Sequence, residues 1–233
     1  MKVLVACEFS GTVRDAFIAK GHDAISCDLL PTESPGPHYQ GDVFDVINDG
    51  FDLMIAHPPC TFLTCSAEWA YKERREIKKN LSPGKLFGAE RKAAREDAIE
   101  FFMRLVNADI DKIAIENPVG VISSRYRRPD QWIHPHKFGH DASKKTGLWL
   151  RNLPLLCDTK TIDPRMVSDL PRWANQTDSG QNRVPPGKNQ WKIRSIFYHG
   201  WANAMADQWG QENLINSSNR GNYEEVFWAT RIS

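Results

Sequence analysis

The stretch Phe51-Asp52-Leu53-Met54-Ile55-Ala56-His57-Pro58-Pro59-Cys60 decides the fold of this chain. Its short apolar run is typical of a strand that is buried in a parallel sheet. Proline fixes its own φ and biases the preceding residue away from the helical region, so the cysteine lies on a stiff loop just past the strand. A thiol held in this way is placed like a nucleophile.

A second stretch, Ile113-Ala114-Ile115-Glu116-Asn117-Pro118, has the same arrangement of an apolar run followed by functional groups, but the groups are different. Here an apolar strand is followed by a carboxylate, an amide and a proline. Cys60 and Glu116 thus both follow the carboxyl ends of predicted strands. In an open α/β sheet this edge is where ligands bind and catalytic residues gather.

The rest of the chain alternates between strand and helix patterns, which predicts an α/β fold with a mostly parallel sheet covered by helices on both faces. Residues 1–233 read as a single domain, with an irregular, loop-rich segment over 154–198. Strands are predicted at Val3–Ala6, Asp23–Cys27, Phe51–Ala56, Lys112–Ile115 and Thr146–Leu150, and a third short element at Gly41-Asp42-Val43 after a loop over 29–40. Helices are predicted up to Lys20, over 67–79, over Ala89–Val106 and over Ala202–Trp209.

Composition excludes several classes of protein. The 233 residues carry a net charge of +1 and contain an odd number of cysteines, 5, with no paired CxxC spacing. This pattern indicates a reducing compartment and argues against a disulfide framework and against a metal site. No apolar run approaches the ~20 residues that a membrane span needs.

Acidic and small residues at strand ends suggest a nucleotide-type cofactor site. Glu8-Phe9-Ser10-Gly11 follows the first strand and opens a helix, whose N-terminus is expected to offer free N–H groups. Asp28 ends the second strand, where a carboxylate can accept hydrogen bonds from ribose hydroxyls. Asp42 follows Gly41 and could bind an adenine amino group, although either aspartate could equally be a turn residue.

Positive charge is concentrated in residues 72–95, directly after Cys60. This segment holds 9 Lys or Arg against 3 Glu, and Arg74, Arg75 and Lys78 are candidates for contacts with DNA phosphates. A solvated helix face is the alternative interpretation of such a run. His57 could tune the Cys60 thiol, although a histidine at a strand end is more often a structural residue.

With these residues in place, the chain resembles the cytosine-C5 DNA methyltransferase family, and in particular its compact phage-type members. The family's Pro-Cys motif matches Pro59-Cys60, and its Glu-Asn-Val motif matches Glu116-Asn117. Its first cofactor motif is matched loosely by Phe9-Ser10-Gly11, and its last motif loosely by Ala202-Asn203-Ala204-Met205. Lys144 and Thr146 stand where the family has two arginines that orient the flipped base. The segment 154–198 stands in place of a full target-recognition domain.

The resemblance implies a Rossmann-like methyltransferase that uses S-adenosylmethionine and acts on DNA in the cytoplasm of a bacterium or a phage-infected cell. It implies catalytic roles for Pro59, Cys60, Glu116 and Asn117, and substrate contacts from Lys144, Thr146, Arg74, Arg75 and Lys78. It implies cofactor contacts from Glu8, Phe9, Ser10, Gly11, Asp28, Asp42, Pro58 and Asn203.

Three alternatives stay open. The same chemistry could act on free deoxycytidine nucleotide, because the recognition domain is missing and the net charge is near zero. A different group could be transferred from a modified cofactor. The chain could also be a non-catalytic, nucleic-acid-binding relic, although binding alone needs neither Cys60 nor Glu116. The fold by itself does not separate these functions, and the sequence leaves the oligomeric state open.

Overall fold

The apolar runs of the sequence form one seven-stranded sheet. The computed structural model describes residues 1–72, 85–184 and 197–211. The strands of the sheet are β1 (Lys2–Ala6), β2 (Asp23–Asp28), β3 (His38–Gln40), β4 (Leu53–Ala56), β5 (Lys112–Pro118), β6 (Gln131–Ile133) and β7 (Thr146–Arg151). Their order across the sheet is β3-β2-β1-β4-β5-β7-β6. All neighbours are parallel except at β7, which runs antiparallel to both β5 and β6.

Helices cover both faces of this sheet. They are α1 (Thr12–Ala19), α2 (Gly88–Val106), the single turn α3 (Ile122–Arg125) and α4 (His199–Trp209), with 3₁₀ helices at Val43–Asp45, Cys65–Tyr71 and Pro135–Lys137. The apolar residues of α1 and α4 pack together on one face, and those of α2 pack on the other. The expected α/β fold of Rossmann-like type is therefore confirmed.

Alternation along the strands explains why they are almost entirely apolar. In β1, Val3 and Val5 point to the face of α1 and α4, whereas Leu4 and Ala6 point to the face of α2. Successive side chains of a strand lie on opposite faces, so a strand covered on both sides must be apolar at every position. The continuous apolar runs of the sequence follow from this burial.

The connections place a switch point between β1 and β4. From β1 the chain runs through β2 to the edge strand β3, then returns to β4 on the other side of β1 and continues to β5. Connections that diverge in this way leave a crevice at the carboxyl ends of the two central strands, where open α/β sheets bind ligands. The loops that carry Glu8 and Cys60 leave β1 and β4 at this edge.

The third strand differs from the prediction. The sequence places an element at Gly41-Asp42-Val43, but the strand is His38–Gln40 and pairs with β2. Asp42 instead caps the 3₁₀ helix that follows, because its side chain accepts a hydrogen bond from the Phe44 amide at 3.0 Å. Strand β3 has only three residues and lies close to several prolines, which are strong signals for a loop, so the sequence pattern did not predict it.

The segment 154–198 is more ordered than expected where the structure describes it. A two-stranded hairpin pairs β8 (Arg165–Val167) with β9 (Leu170–Arg172). Its turn residues Ser168 and Asp169 both have positive φ, 47° and 62°, as a tight hairpin turn with matching twist requires. The usual Asn-Gly or Asp-Gly signal is absent from this turn, so the prediction of irregular structure was wrong there. Strand β6 was also not predicted.

Candidate active site

The exit loops of β4 and β5 are joined at the carboxyl edge of the sheet. The two strands are paired up to Ala56 and Ile115, and beyond them the buried side chain of Asn117 donates from Nδ2 to the Pro58 carbonyl at 2.9 Å. The Val121 amide donates to the Leu63 carbonyl at 2.8 Å. The loop that carries Cys60 is thus fixed against the strand that carries Glu116.

Close packing of these loops depends on a glycine. Gly120 forms an isolated bridge with Thr64, and a Cβ atom at position 120 would lie 2.0 Å from the Leu63 carbonyl oxygen. A side chain there would push the two loops apart. The glycine that follows Glu116-Asn117-Pro118-Val119 therefore has a packing role.

Glu116 is a buried carboxylate with several cationic or polar neighbours. Its side chain is 11% exposed, and His57 Nδ1 lies 3.4 Å from its Oε2. Burial alone would raise the pKa of Glu116, but Lys144, His57 and the nearby Thr146 hydroxyl together hold this pKa below its usual range. Glu116 is therefore ionised in the free protein.

The start of β7 supplies the cationic side of this cluster. Because β7 pairs with β5 in antiparallel register, Pro118 opposite Thr146, the residues before β7 reach the carboxyl end of β5. Lys144 influences both Glu116 and Cys60 electrostatically. Thr146 is fully buried beside Glu116 and contacts its carboxylate.

The Cys60 thiol is protonated in the free protein at neutral pH. Residue Cys60 borders solvent, but the groups packed around its thiol partly desolvate it. This desolvation and the neighbouring charge of Glu116 raise the pKa of Cys60, and Lys144 offsets only part of this rise. A nucleophile with a depressed pKa is one way to activate cysteine. The opposite shift means that this thiol would need to be activated within the complete complex.

Three polar atoms in this cluster are buried without a hydrogen-bond partner among the described residues. They are His57 Nε2, Glu116 Oε1 and Asn117 Oδ1. A buried polar atom left unpaired costs roughly 1–3 kcal/mol, so a group of them calls for an explanation. A ligand with matching polar groups is the simplest one.

The loop after β1 differs from the predicted open helix terminus. The Glu8 carboxylate accepts hydrogen bonds from the amides of Val13, at 2.7 Å, and Arg14, at 3.2 Å. The Thr12 amide donates to Ser10 Oγ at 3.2 Å. The first amides of α1 are therefore occupied, because a carboxylate at a helix N-terminus satisfies the N–H groups and the helix dipole. The expectation of free N–H groups was wrong, and Glu8 is a buried cap.

Asp28 and Asp42 lie close together at the ends of β2 and β3. Burial raises the pKa of Cys7, just after β1, and the charges of both carboxylates raise it further. Asp28 Oδ1 accepts from the Leu30 amide at 2.9 Å, and Asp42 Oδ1 accepts from the Phe44 amide. The structure thus gathers the two predicted cofactor-binding aspartates into one acidic strip.

The other predicted cofactor residues lie in different surroundings. Ser10 and Asn203 line an open groove of about 320 Å³ between α1 and α4; its other lining residues are Thr12, Asp15, Ala16, Ala19, Ser34 and His199. The Phe9 carbonyl accepts a hydrogen bond from the Glu33 amide. Gly11 has φ +76°, and a Cβ there would meet the Arg14 guanidinium at 2.5 Å. Pro58 is buried, and Pro59 is exposed beside Cys60.

Two arginines that the sequence assigns to a basic surface instead hold the Cys60 loop. Arg95, on α2, lies 3.5 Å from the centre of the Tyr71 ring and donates to the Phe62 carbonyl at 3.0 Å. Arg91 lies 4.8 Å from the same ring. Arg74, Arg75 and Lys78 fall outside the described residues.

Among known proteins, this chain has a distant structural similarity. No protein-family model matches this chain, and no curated protein matches it. A solved structure that is provisionally described as a DNA modification methyltransferase encoded within an E. coli prophage aligns with a TM-score of 0.42 and 14% identity. The alignment covers 72% of this chain and 53% of that one, so this chain spans about half of that structure. Within the described ranges, no helix is long and apolar enough to cross a membrane, and no three His, Cys, Asp or Glu side chains converge as metal ligands.

Proposed function

We propose that this protein transfers a methyl group from S-adenosylmethionine to C5 of cytosine in DNA. The observation that carries the proposal is that the Cys60 loop is joined to the strand of Glu116 at two adjacent strand ends. Beside them lie buried polar atoms that have no hydrogen-bond partner within residues 1–72, 85–184 and 197–211. A structural cysteine would need neither the proline-stiffened loop nor the carboxylate. The comparison with solved structures does not support any one reaction.

Cys60 is the nucleophile in this proposal. Cytosine is unreactive at C5, and addition of the Cys60 sulfur to C6 moves the ring electrons so that C5 becomes nucleophilic. The S–H bond breaks, the Sγ–C6 and N3–H bonds form, and the C5–C6 and N3–C4 double bonds become one C4–C5 double bond. When C5 has used this electron pair to gain a methyl group, loss of the C5 proton to water restores the C5–C6 double bond and expels the sulfur. The N3 proton returns to the sulfur through Glu116, so the N3–C4 double bond and the thiol are restored.

Glu116 is the proton-transfer residue in this scheme. Its ionised carboxylate lies next to the thiol that must lose a proton, and its Oε1 has no hydrogen-bond partner in the part of the chain that the structure describes. We assign to Glu116 the transfer of that proton to N3 and a hydrogen bond to the exocyclic amine, which stabilise the adduct. Lys144 stabilises the negative charge that Glu116 carries before the proton transfer and that the Cys60 sulfur carries as a thiolate. Asn117 holds the loop through its hydrogen bond to the Pro58 carbonyl.

The residues around the crevice fit S-adenosylmethionine. The cofactor carries ribose hydroxyls and an adenine amino group, and these hydrogen-bond donors suit the carboxylates of Asp28 and Asp42 beside the switch point. Asp28 would hold the ribose hydroxyls and Asp42 the adenine amino group. Phe9, Ser10, Gly11, Pro58 and Asn203 would complete the walls, while Glu8 shapes the loop from within. When bound, the cofactor supplies an electrophilic methyl group.

A labelled-methyl transfer assay tests the proposal. Isotope-labelled S-adenosylmethionine is incubated with duplex DNA, single-stranded DNA and deoxycytidine monophosphate in parallel, with Cys60→Ser as the control. Label in 5-methyldeoxycytidine from DNA supports the proposal, and loss of that label in Cys60→Ser supports the nucleophile. Label only in the mononucleotide would assign the enzyme to nucleotide metabolism. Binding of DNA without transfer of label to any substrate would favour the relic.

A further inference from the structure

His57 is fixed on three sides. Its backbone amide donates to the Ala6 carbonyl of β1 at 2.9 Å, and the proline that follows restricts its backbone. Its ring packs against Phe197 with 4.5 Å between ring centres. Its Nδ1 lies 3.4 Å from Glu116 Oε2. The side chain is only 11% exposed, and these contacts direct Nδ1 toward Glu116.

The charge of Glu116 decides which nitrogen of His57 carries the hydrogen. An ionised carboxylate can only accept hydrogen bonds, so the contact requires a hydrogen on Nδ1. This bond occupies Oε2 and leaves Oε1, which has no partner among the described residues, as the oxygen available to a ligand. Together with the Thr146 hydroxyl, this bond restricts rotation of the carboxylate about its last torsion, which by itself has a broad energy profile.

We propose that His57 is the positioning residue for Glu116, holding Oε2 through Nδ1–H so that Oε1 faces the N3 and amino edge of the target base. The inference rests on the proposed function and adds a residue to its machinery. Nothing in the spacing of the sequence shows this partnership, because the two residues are 59 positions apart. His57 acts on the reaction only through the carboxylate.

Three substitutions separate positioning from simple packing. The Asn side-chain nitrogen can occupy the place of His Nδ1, whereas the Gln nitrogen reaches the place of Nε2. His57→Asn therefore keeps a donor toward Glu116, His57→Gln moves it, and His57→Ala removes it. All three variants lose the ring contact with Phe197, so they share any cost of lost packing.

Steady-state methyl transfer to duplex DNA measures the outcome. We expect kcat to fall by roughly 100-fold in His57→Ala and His57→Gln, the scale of a misplaced catalytic group, and by less than about 10-fold in His57→Asn. The KM for DNA and the cofactor affinity should stay within about threefold in all variants, because neither set of contacts includes His57. Melting temperatures establish that each variant is folded, and the Asn–Gln pair decides the question if the Ala variant is not.

Several outcomes overturn the inference. One is a wild-type kcat in His57→Ala. The others are an equal fall of kcat in His57→Asn and His57→Gln, or a higher kcat in His57→Gln than in His57→Asn. A ¹⁵N NMR spectrum of the free wild-type protein gives a test without substrate: we expect the hydrogen on Nδ1, and a hydrogen on Nε2 alone refutes the contact. Absence of methyl transfer by the wild-type protein would instead overturn the proposed function, and this inference with it.

Discussion

Replacement of the buried Arg14 by methionine should destabilise the protein strongly. Arg14 lies on α1 with no exposed surface, and its guanidinium binds the loop between β2 and β3. It donates to Ser26 Oγ at 3.1 Å and to the Ser34 carbonyl at 2.9 Å. Further contacts go to Thr32 Oγ1, the Pro35 and Pro37 carbonyls and the Asp15 carboxylate.

The magnitude follows from what Arg14→Met leaves behind. Methionine fills most of the volume of the arginine stem but donates no hydrogen bonds, so several partly buried oxygens lose their partner. Each partly buried oxygen left without its donor costs about 1–3 kcal/mol, so the loss of several such bonds should cost about 3–5 kcal/mol in total. At roughly 2–4 °C per kcal/mol for a chain of this size, the melting temperature should fall by about 6–20 °C. Cofactor affinity should fall too, because this loop follows Asp28.

Denaturant unfolding and calorimetry of the wild-type protein and Arg14→Met measure this loss. Arg125→Met is the matched control, because Arg125 forms an exposed ion pair with Glu96 and exposed pairs contribute little. We expect near wild-type stability in the control. If Arg14→Met is no less stable than Arg125→Met, the guanidinium does not hold the loop in the way described.

Three further predictions concern the site. Cys60→Ser should abolish methyl transfer while leaving cofactor affinity, measured by calorimetry, nearly unchanged; normal turnover would refute the nucleophile. Asp28→Ala should weaken cofactor binding by roughly 1–3 kcal/mol, the value of a hydrogen bond to a charged group, and unchanged affinity would remove Asp28 from the site. Glu116→Gln should speed alkylation of Cys60 by iodoacetamide at pH 8, because removing a charge that raises the pKa of the thiol increases the thiolate fraction. Lys144→Met should slow this alkylation, because Lys144 lowers the same pKa.

Controls keep these measurements specific. Alkylation is assigned to Cys60 by peptide mass spectrometry, since Cys65 and Cys157 are also exposed. The wild-type rate should rise with pH and reach half its maximum above the pKa of a free cysteine, as the raised pKa of Cys60 requires. A rate for Glu116→Gln equal to the wild type would show that the carboxylate does not act on the thiol.

Sequence patterns determined most of the scaffold. Runs that are apolar at every position predicted β1, β4 and β5 because strands covered on both faces cannot tolerate polar side chains. They also placed Cys60 and Glu116 at the same edge, since parallel strands end together. Short elements were harder: β3 has three residues beside prolines, and the β8–β9 turn lacks the usual glycine, so local patterns did not reveal them.

The chemical state of the site was decided only by the tertiary structure. The sequence predicted that Cys60 and Glu116 lie at one edge of the sheet, and the family resemblance implied a substrate contact for Lys144. The direction of a pKa shift, however, depends on burial and on distances between residues far apart in the chain. Folding raised the pKa of Cys60, kept Glu116 ionised and closed the α1 terminus with Glu8. It also turned His57 toward Glu116, 59 residues away. Local periodicity fixes which residues are buried, whereas only the packed chain fixes which polar atoms meet.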